Sequence, residues 1–109
     1  MSAAGLSRLR RRIVIETPVE SADGAGGVRR SWTAAATVWA AVQPLKAVDA
    51  PPLALPGQTV THRVTLRWRA GLTTAARLRL GSRVFALRAV HDPEERGRIL
   101  VCHAEEVKP

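Results

Sequence analysis

The sequence has few of the residues on which covalent staples, metal centres and membrane spans depend. Cys102 is its single cysteine, which excludes an intramolecular disulfide framework and a multi-cysteine zinc site. No apolar run approaches the roughly 20 residues of a membrane-spanning helix. No long apolar stretch follows the basic N-terminus, as a signal peptide would require. We therefore expect a chain that is made inside the cell and has no membrane partner.

Catalytic patterns are also missing. His62, His91 and His103 do not have the spacing of metal ligands. Cys102 and His103 are adjacent, so on a strand they point to opposite faces, and the thiol in an apolar strand is expected to be inert. No serine lies in a nucleophile elbow, and no glycine motif of the phosphate-binding type is present. We expect no enzyme, no cofactor and no metal.

Aromatic side chains are scarce as well, since tyrosine is absent and phenylalanine occurs once. The few that are present fall in apolar strand patterns, so we assign them to the core or to an interface rather than to stacking on single-stranded bases. They are Trp32, Trp39, Trp68 and Phe85.

What the chain does have is positive charge: 17 basic residues against 9 acidic ones, a net charge of +8. Fifteen of the basic residues are arginine, and a GC-rich genome would explain the choice of arginine over lysine but not the net charge. Residues 60–88 alone hold seven arginines and no acid, whereas residues 89–109 are net acidic. This balance permits an anionic partner without proving one.

Short alternating or β-branched segments separated by turn residues predict an all-β fold. The length of 109 residues fits one domain. Pro18 and Pro44 are expected to end strands, and 92–97 reads as a solvated turn. The pattern predicts a small antiparallel β-barrel of about five to seven strands. The predicted strands are 12–17, 28–32, 37–42, 60–69, 77–80, 84–91 and 98–104.

The remaining segments divide the chain. Residues 1–11 are predicted to be a flexible N-terminal arm, 12–104 a single barrel domain, and 105–109 a polar C-terminal tail. Within the domain, 45–59 contains three prolines and is predicted to be one long loop.

The arginines are the sharpest functional signal. Arg63, Arg67 and Arg69 share one strand face, and Arg77 and Arg79 share a face of the next strand. If these two strands pair, five guanidiniums cover one side of a ribbon, which implies an anionic partner, interleaved acids or plain solvation. Together with the basic arm, the candidate contacts to DNA phosphate or acidic protein are Arg8, Arg10, Arg11, Arg12, Arg63, Arg67, Arg69, Arg77 and Arg79.

Four stretches, in order, carry a resemblance to a known family. They are Gly5-Leu6 with the step into 12–18; Asp23-Gly24 and Gly26-Gly27 with Trp32 and 38–44; 61–69; and 83–87 with 92–96 running into 98–100. The sequence resembles the head closure, or head–tail joining (stopper), proteins of long-tailed phages and gene transfer agents. The resemblance implies a small β-barrel with a long loop between its early and middle strands.

The resemblance also implies a structural role in the particle neck after assembly in the bacterial cytoplasm. It implies a homo-oligomeric ring of roughly 6 or 12 copies. Portal or adaptor proteins would bind its head side and a tail terminator or tail tube protein its tail side. The ring would help to retain the packaged double-stranded DNA, with passive contact in the channel, and would dock the tail.

The long loop is the segment that would face the channel in such a ring. Many relatives carry a more polar, helix-prone segment there, whereas this one is rich in alanine, proline and leucine, so channel and docking roles stay open. The candidate residues are Lys46, Val48, Asp49, Pro51, Pro52, Leu53 and Leu55. The alternative function is a stand-alone, non-specific nucleic-acid-binding β-barrel.

Overall fold

The computed structural model describes residues 9–46, 48 and 59–107. Arg8 of the predicted arm and the loop residues Asp49, Pro51, Pro52, Leu53 and Leu55 lie outside the described residues. The described residues form six strands: β1 (Arg11–Ala22), β2 (Val28–Pro44), β3 (His62–Arg67), β4 (Arg77–Leu80), β5 (Arg83–His91) and β6 (Ile99–Val107). None of the described residues forms a helix long and apolar enough to cross a membrane.

The six strands close into an antiparallel barrel in the order β1-β2-β3-β6-β5-β4. The ring is closed by β1 and β4, where Val14 lies opposite Arg79 and Glu16 opposite Arg77. This arrangement confirms the prediction of an all-β antiparallel barrel with five to seven strands. Closure gives each strand two hydrogen-bonded neighbours within the barrel, whereas the outer half of the β1–β2 hairpin keeps open edges.

Alternation along the strands builds the core. Val64 and Leu66 of β3 point inward and are fully buried, and Phe85 of β5 is the largest fully buried side chain. Each such side chain contributes roughly 1.5–3 kcal/mol when removed from water. The interior contains Ile13, Ile15, Ala40, Val64, Leu66, Ala76, Leu78, Phe85, Leu87, Leu100, Cys102 and Ala104. The tryptophans stay outside it, with Trp39 54% and Trp68 46% exposed.

The β1–β2 hairpin is longer than the sequence indicates. Pro18 does not end the first strand but lies within β1, opposite Trp32 of β2. A proline fits there because β1 pairs with β4 only over Val14–Glu16, so one edge of β1 has no ladder at Pro18. The two predicted strands 28–32 and 37–42 are one continuous strand, β2, which runs through the intervening alanines.

The two arginine-bearing strands are not neighbours, so the predicted five-arginine ribbon does not form. β3 lies between β2 and β6, and β4 lies between β5 and β1. A two-residue turn, Gly81-Ser82, joins β4 to β5 and commits one edge of β4 to that hairpin, while β1 takes the other.

The C-terminal end also differs from expectation. β6 continues to Val107, which pairs with Val84, so Glu105 and Glu106 belong to the sheet rather than to a polar tail. Strand β3 is shorter than the predicted strand 60–69, because it begins at His62 and ends at Arg67. Beyond its end, the Trp68 amide donates a hydrogen bond to the Arg98 carbonyl.

The two ends of the barrel carry different segments. Because successive strands run in opposite directions, the β1–β2 turn, the β3–β4 connection and the turn 92–98 lie at one end, the hairpin end. The connection after Pro44, the Gly81-Ser82 turn and the end of β6 lie at the other, the loop end. The outer half of the hairpin extends past the strands that flank it, and the molecule measures 52 × 29 × 27 Å.

Candidate docking surface

Two of the predicted anion contacts, Arg77 and Arg79, already share one carboxylate within the chain. Glu16 is 8% exposed and accepts from Arg77 Nε at 2.6 Å and from Arg79 Nε at 3.1 Å. The Arg77 guanidinium also stacks 4.2 Å from the centroid of the half-buried Trp32 ring. Arg77 and Arg79 therefore stabilise the barrel wall, because a buried carboxylate requires positive partners.

The contact of Glu16 with two arginines is a feature that the sequence did not reveal. Alternation predicts that Ile13, Ile15 and Thr17 share one face, which places Glu16 on the other face. The structure keeps this alternation: Ile15 lies opposite the buried Leu78, and Glu16 lies opposite Arg77 on the outer face of the barrel. Glu16 is buried there because Arg77 and Arg79 cover it. Glu16 and Arg77 are 61 residues apart in the sequence, so only the pairing of β1 with β4 reveals their contact.

A second set of ion pairs covers the β5–β6 wall. Arg83 Nε lies 2.9 Å from Glu106 Oε2, and Arg88 Nη2 lies 2.9 Å from Glu105 Oε1. The hydrogen bond from Arg88 lowers the pKa of Glu105, and the bond to Glu106 raises the pKa of Arg83. The acidic C-terminal segment is thus interleaved with arginines from the basic segment, which reduces the charge contrast that the sequence indicates.

The other predicted contact arginines among the described residues have no acidic partner. Within the described residues, Arg10, Arg11, Arg12, Arg63, Arg67 and Arg69 make no ion pair. Three of them gather at Trp39: Arg10 and Arg67 line a cleft with Leu9 and Trp39, and the Arg12 guanidinium lies 5.5 Å from the Trp39 ring centroid. We call Leu9, Arg10, Arg12, Trp39 and Arg67 the Trp39 cleft; its volume is about 370 Å³.

Two further candidates, which the sequence places in different predicted groups, lie together at the loop end. Lys46, the first candidate of the long loop, and Arg63 of β3 line one shallow cleft of about 410 Å³ together with Gln43, Pro44 and Leu45. Val48 is 85% exposed. The structure therefore brings one loop candidate and one strand arginine together, whereas Arg69 lies just beyond β3 at the hairpin end.

The histidines and the thiol occupy structural positions. His62 Nδ1 lies 2.8 Å from Thr61 Oγ1, and its ring meets Phe85 edge-on at 5.0 Å. His91 and His103 stack at 5.4 Å, and burial, followed by the charges of His91 and Arg63, lowers the pKa of His103. Burial raises the pKa of Cys102 to about 12, which removes its nucleophilic thiolate at neutral pH. No cluster of His, Cys, Asp or Glu suited to a metal occurs among the described residues.

The acidic turn after β5 has an internal role. Asp92 Oδ2 accepts from the Gly97 amide at 2.7 Å, and this bond and further backbone bonds lower the pKa of Asp92. Glu95 adopts a positive φ of 55° in the same turn. The carboxylate of Asp92 thus organises the turn rather than acting as an acid or a base.

Comparison with known proteins identifies the class of protein that this barrel represents. The sequence pattern of phage head completion proteins matches residues 5–107, nearly the whole chain. The chain belongs to this family. A head completion protein is a structural part of the head–tail region of a particle and not an enzyme, and its place implies association with other head and tail proteins.

Two solved structures are similar to this head completion protein. One is a chain from the virion of a native gene transfer agent particle: it is 33% identical, has a TM-score of 0.68, and the match covers 92% of this chain and 96% of that one. The other is a protein from Shigella flexneri 2a, solved in solution: 25% identity, TM-score 0.67, and coverage of 89% and 93%. No curated protein matches the chain. The resemblance to head closure proteins is confirmed.

Proposed function

We propose that this head completion protein assembles as a homo-oligomeric ring between the portal or adaptor and the tail, where it helps to retain packaged DNA and docks the tail. The observation that carries the proposal is a closed barrel whose two ends carry different segments, in a chain of the phage head completion family. A ring subunit stacked between unlike neighbours needs two unlike docking faces and no catalytic group.

The distribution of exposed groups supports assembly through side chains. Closure leaves no free strand edge in the barrel itself, so neighbours dock on side chains of its wall and ends or on the projecting hairpin, whose outer strand edges are unpaired. Trp39 and Trp68 are about half exposed although the core is filled without them. Tryptophan and arginine are the residue types that dominate binding energy at protein interfaces.

The loop end is the part of the molecule that we assign to the channel. The chain enters the long loop through Leu45 and Lys46 and returns through Thr59, whose amide donates to Glu105. Arg63 and Lys46 add positive charge beside this entrance. In a channel that holds DNA, these positive side chains would contact phosphates without reading the base sequence.

Particles assembled with and without the chain test the ring. We expect neck images of complete particles to show a ring of this barrel between portal and tail. Particles that lack the chain should release their DNA to nuclease and carry no tails. Tailed, nuclease-resistant particles without the chain would refute the proposal.

The triple variant Arg63/Arg67/Arg69→Ala tests the arginine contribution separately. We expect rings to form but DNA retention or tail attachment to fall, because the three guanidiniums face outward without internal acids. Arg79→Ala is the matched control, since Glu16 keeps Arg77 as its partner. Normal DNA retention and tailing by the triple variant would remove the arginines from the proposal.

The stand-alone nucleic-acid binder gains no support from the geometry. The arginine ribbon on which it depended does not form, and Arg77 and Arg79 are bound to Glu16. Such a binder should hold duplex DNA with a steep salt dependence, losing about 0.9 log units per log unit of salt for each phosphate contact. We expect weak duplex binding by the isolated chain.

A further inference from the structure

We propose that the Trp39 cleft is the docking site for an acidic segment of another structural protein of the particle. The segment would place an apolar side chain against Trp39 and carboxylates on the surrounding arginines. The inference deepens the proposed function and rests on it, because the particle supplies the partner.

The strand register builds the cleft. Arg12 of β1 lies directly opposite Trp39 of β2. On the other side of β2, Ala40 pairs with Leu66, which brings the next residue of β3, Arg67, beside Trp39. The Arg12 guanidinium lies 5.5 Å from the Trp39 ring centroid, and Arg67, Leu9 and Arg10 line the cleft with the indole.

Charge decides what can cover this surface. Within the described part of the chain, Arg10, Arg12 and Arg67 make no ion pair, whereas the arginines of β4 and β5 each bind a glutamate. Burying three guanidiniums against a neutral surface would cost their hydration without compensation. Carboxylates compensate for the lost hydration through charge-assisted hydrogen bonds, so the partner must be anionic.

Trp39 decides between the two anionic classes. Trp39 is 54% exposed and lines the cleft with the apolar Leu9. A DNA backbone would satisfy the guanidiniums but has no apolar group to bury the indole. A peptide that alternates acidic and apolar residues satisfies both, and a central tryptophan ringed by arginines is the composition of a protein-binding hot spot.

The test uses the full chain and synthetic peptides. We expect a short peptide of alternating leucine and glutamate to bind and to shift the indole N–H signal of Trp39 in a proton–nitrogen correlation spectrum, assigned with Trp39→Phe. Analogues with glutamine for glutamate, or serine for leucine, should not bind. Arg12→Ala and Arg67→Ala should each weaken binding about tenfold, equivalent to 1.4 kcal/mol.

Arg29→Ala is the matched control, because Arg29 is an exposed arginine of the hairpin, away from the cleft, and its loss should change the affinity less than about twofold. Equal loss in Arg29→Ala, or equal binding of the glutamine peptide, would overturn the proposal. A DNA duplex that binds with the same dependence on Arg12 and Arg67, when the peptide does not, would overturn it in favour of a phosphate site. Ring formation is read from particle images, so a failed peptide experiment does not touch it.

Discussion

At the scale of single residues, the strongest electrostatic constraint is a carboxylate that joins three strands. Glu16 of β1 holds two arginines of β4 where the barrel closes, and Arg77 in turn stacks on Trp32 of β2. The side chains of Glu16 and Arg77 are 10% and 22% exposed, so solvent screens this pair little. We therefore regard the closure of the barrel as dependent on this carboxylate.

Replacing Glu16 by glutamine should destabilise the fold by about 1–3 kcal/mol, because two neighbouring guanidiniums lose their shared counter-charge. Urea unfolding measures the change. Glu20→Gln is the matched control: it removes a pair with Arg30 whose side chains are about 60% exposed, and should cost less than about 0.5 kcal/mol. Equal losses in the two variants would contradict the assigned role of Glu16.

His103 makes the stability depend on pH near neutrality. Burial lowers the pKa of His103 below its unfolded value, so the unfolded chain binds the proton more readily than the folded chain. Stability is therefore greatest above the unfolded pKa of about 6.5 and declines as the pH falls toward the folded value. We expect the wild-type melting temperature to drop between pH 7 and pH 5, and the drop to shrink in His103→Gln. If the melting temperature of His103→Gln depends on pH as strongly as that of the wild type, another group causes the pH dependence.

At the scale of elements, alternation predicted the strands well and their neighbours poorly. The inward Val64 and Leu66 and the outward Trp39 follow from periodicity alone. The pairing of β3 with β6 and of β4 with β1 does not, because closure of the ring, and not sequence proximity, decides these contacts. Pro18 misled for a related reason: a proline ends a central strand, but here it lies in a ribbon with a free edge.

The outer half of the β1–β2 hairpin should be the least protected part of the sheet. Every residue from Val19 to Ser31 is exposed, and these residues pair only within the hairpin. Amide hydrogen exchange should therefore be faster from Val19 to Arg30 than along β5 and β6, which flank the core. If the outer half of the hairpin docks on a neighbour in the particle, its amide exchange should become slower there. Equal protection in the isolated chain would show that the hairpin is held by contacts not yet recognised.

At the scale of the whole molecule, the net charge of +8 is distributed less simply than the sequence indicates. Segments 60–88 and 89–109 differ sharply in charge, yet folding places Arg83 and Arg88 against Glu106 and Glu105. The Trp39 cleft arises instead from arginines on β1, β3 and the arm. The sequence marked these arginines as candidates, but only the register shows that they share a tryptophan.

This arrangement predicts that the isolated chain stays monomeric. Stable interfaces bury about 1,200–2,000 Å² in total. The exposed large apolar residues of the described chain are spread over the hairpin, the wall and both ends: Val19, Val28, Trp39, Val48, Trp68 and Val107. The unpaired arginines around Trp39 add repulsion between copies that only an acidic neighbour offsets. Light scattering at micromolar concentration should give the monomer mass of 11.8 kDa, and rings should form only after a head or tail partner is added. A stable ring of the isolated chain would show that contacts between copies suffice, and that partners do not drive assembly.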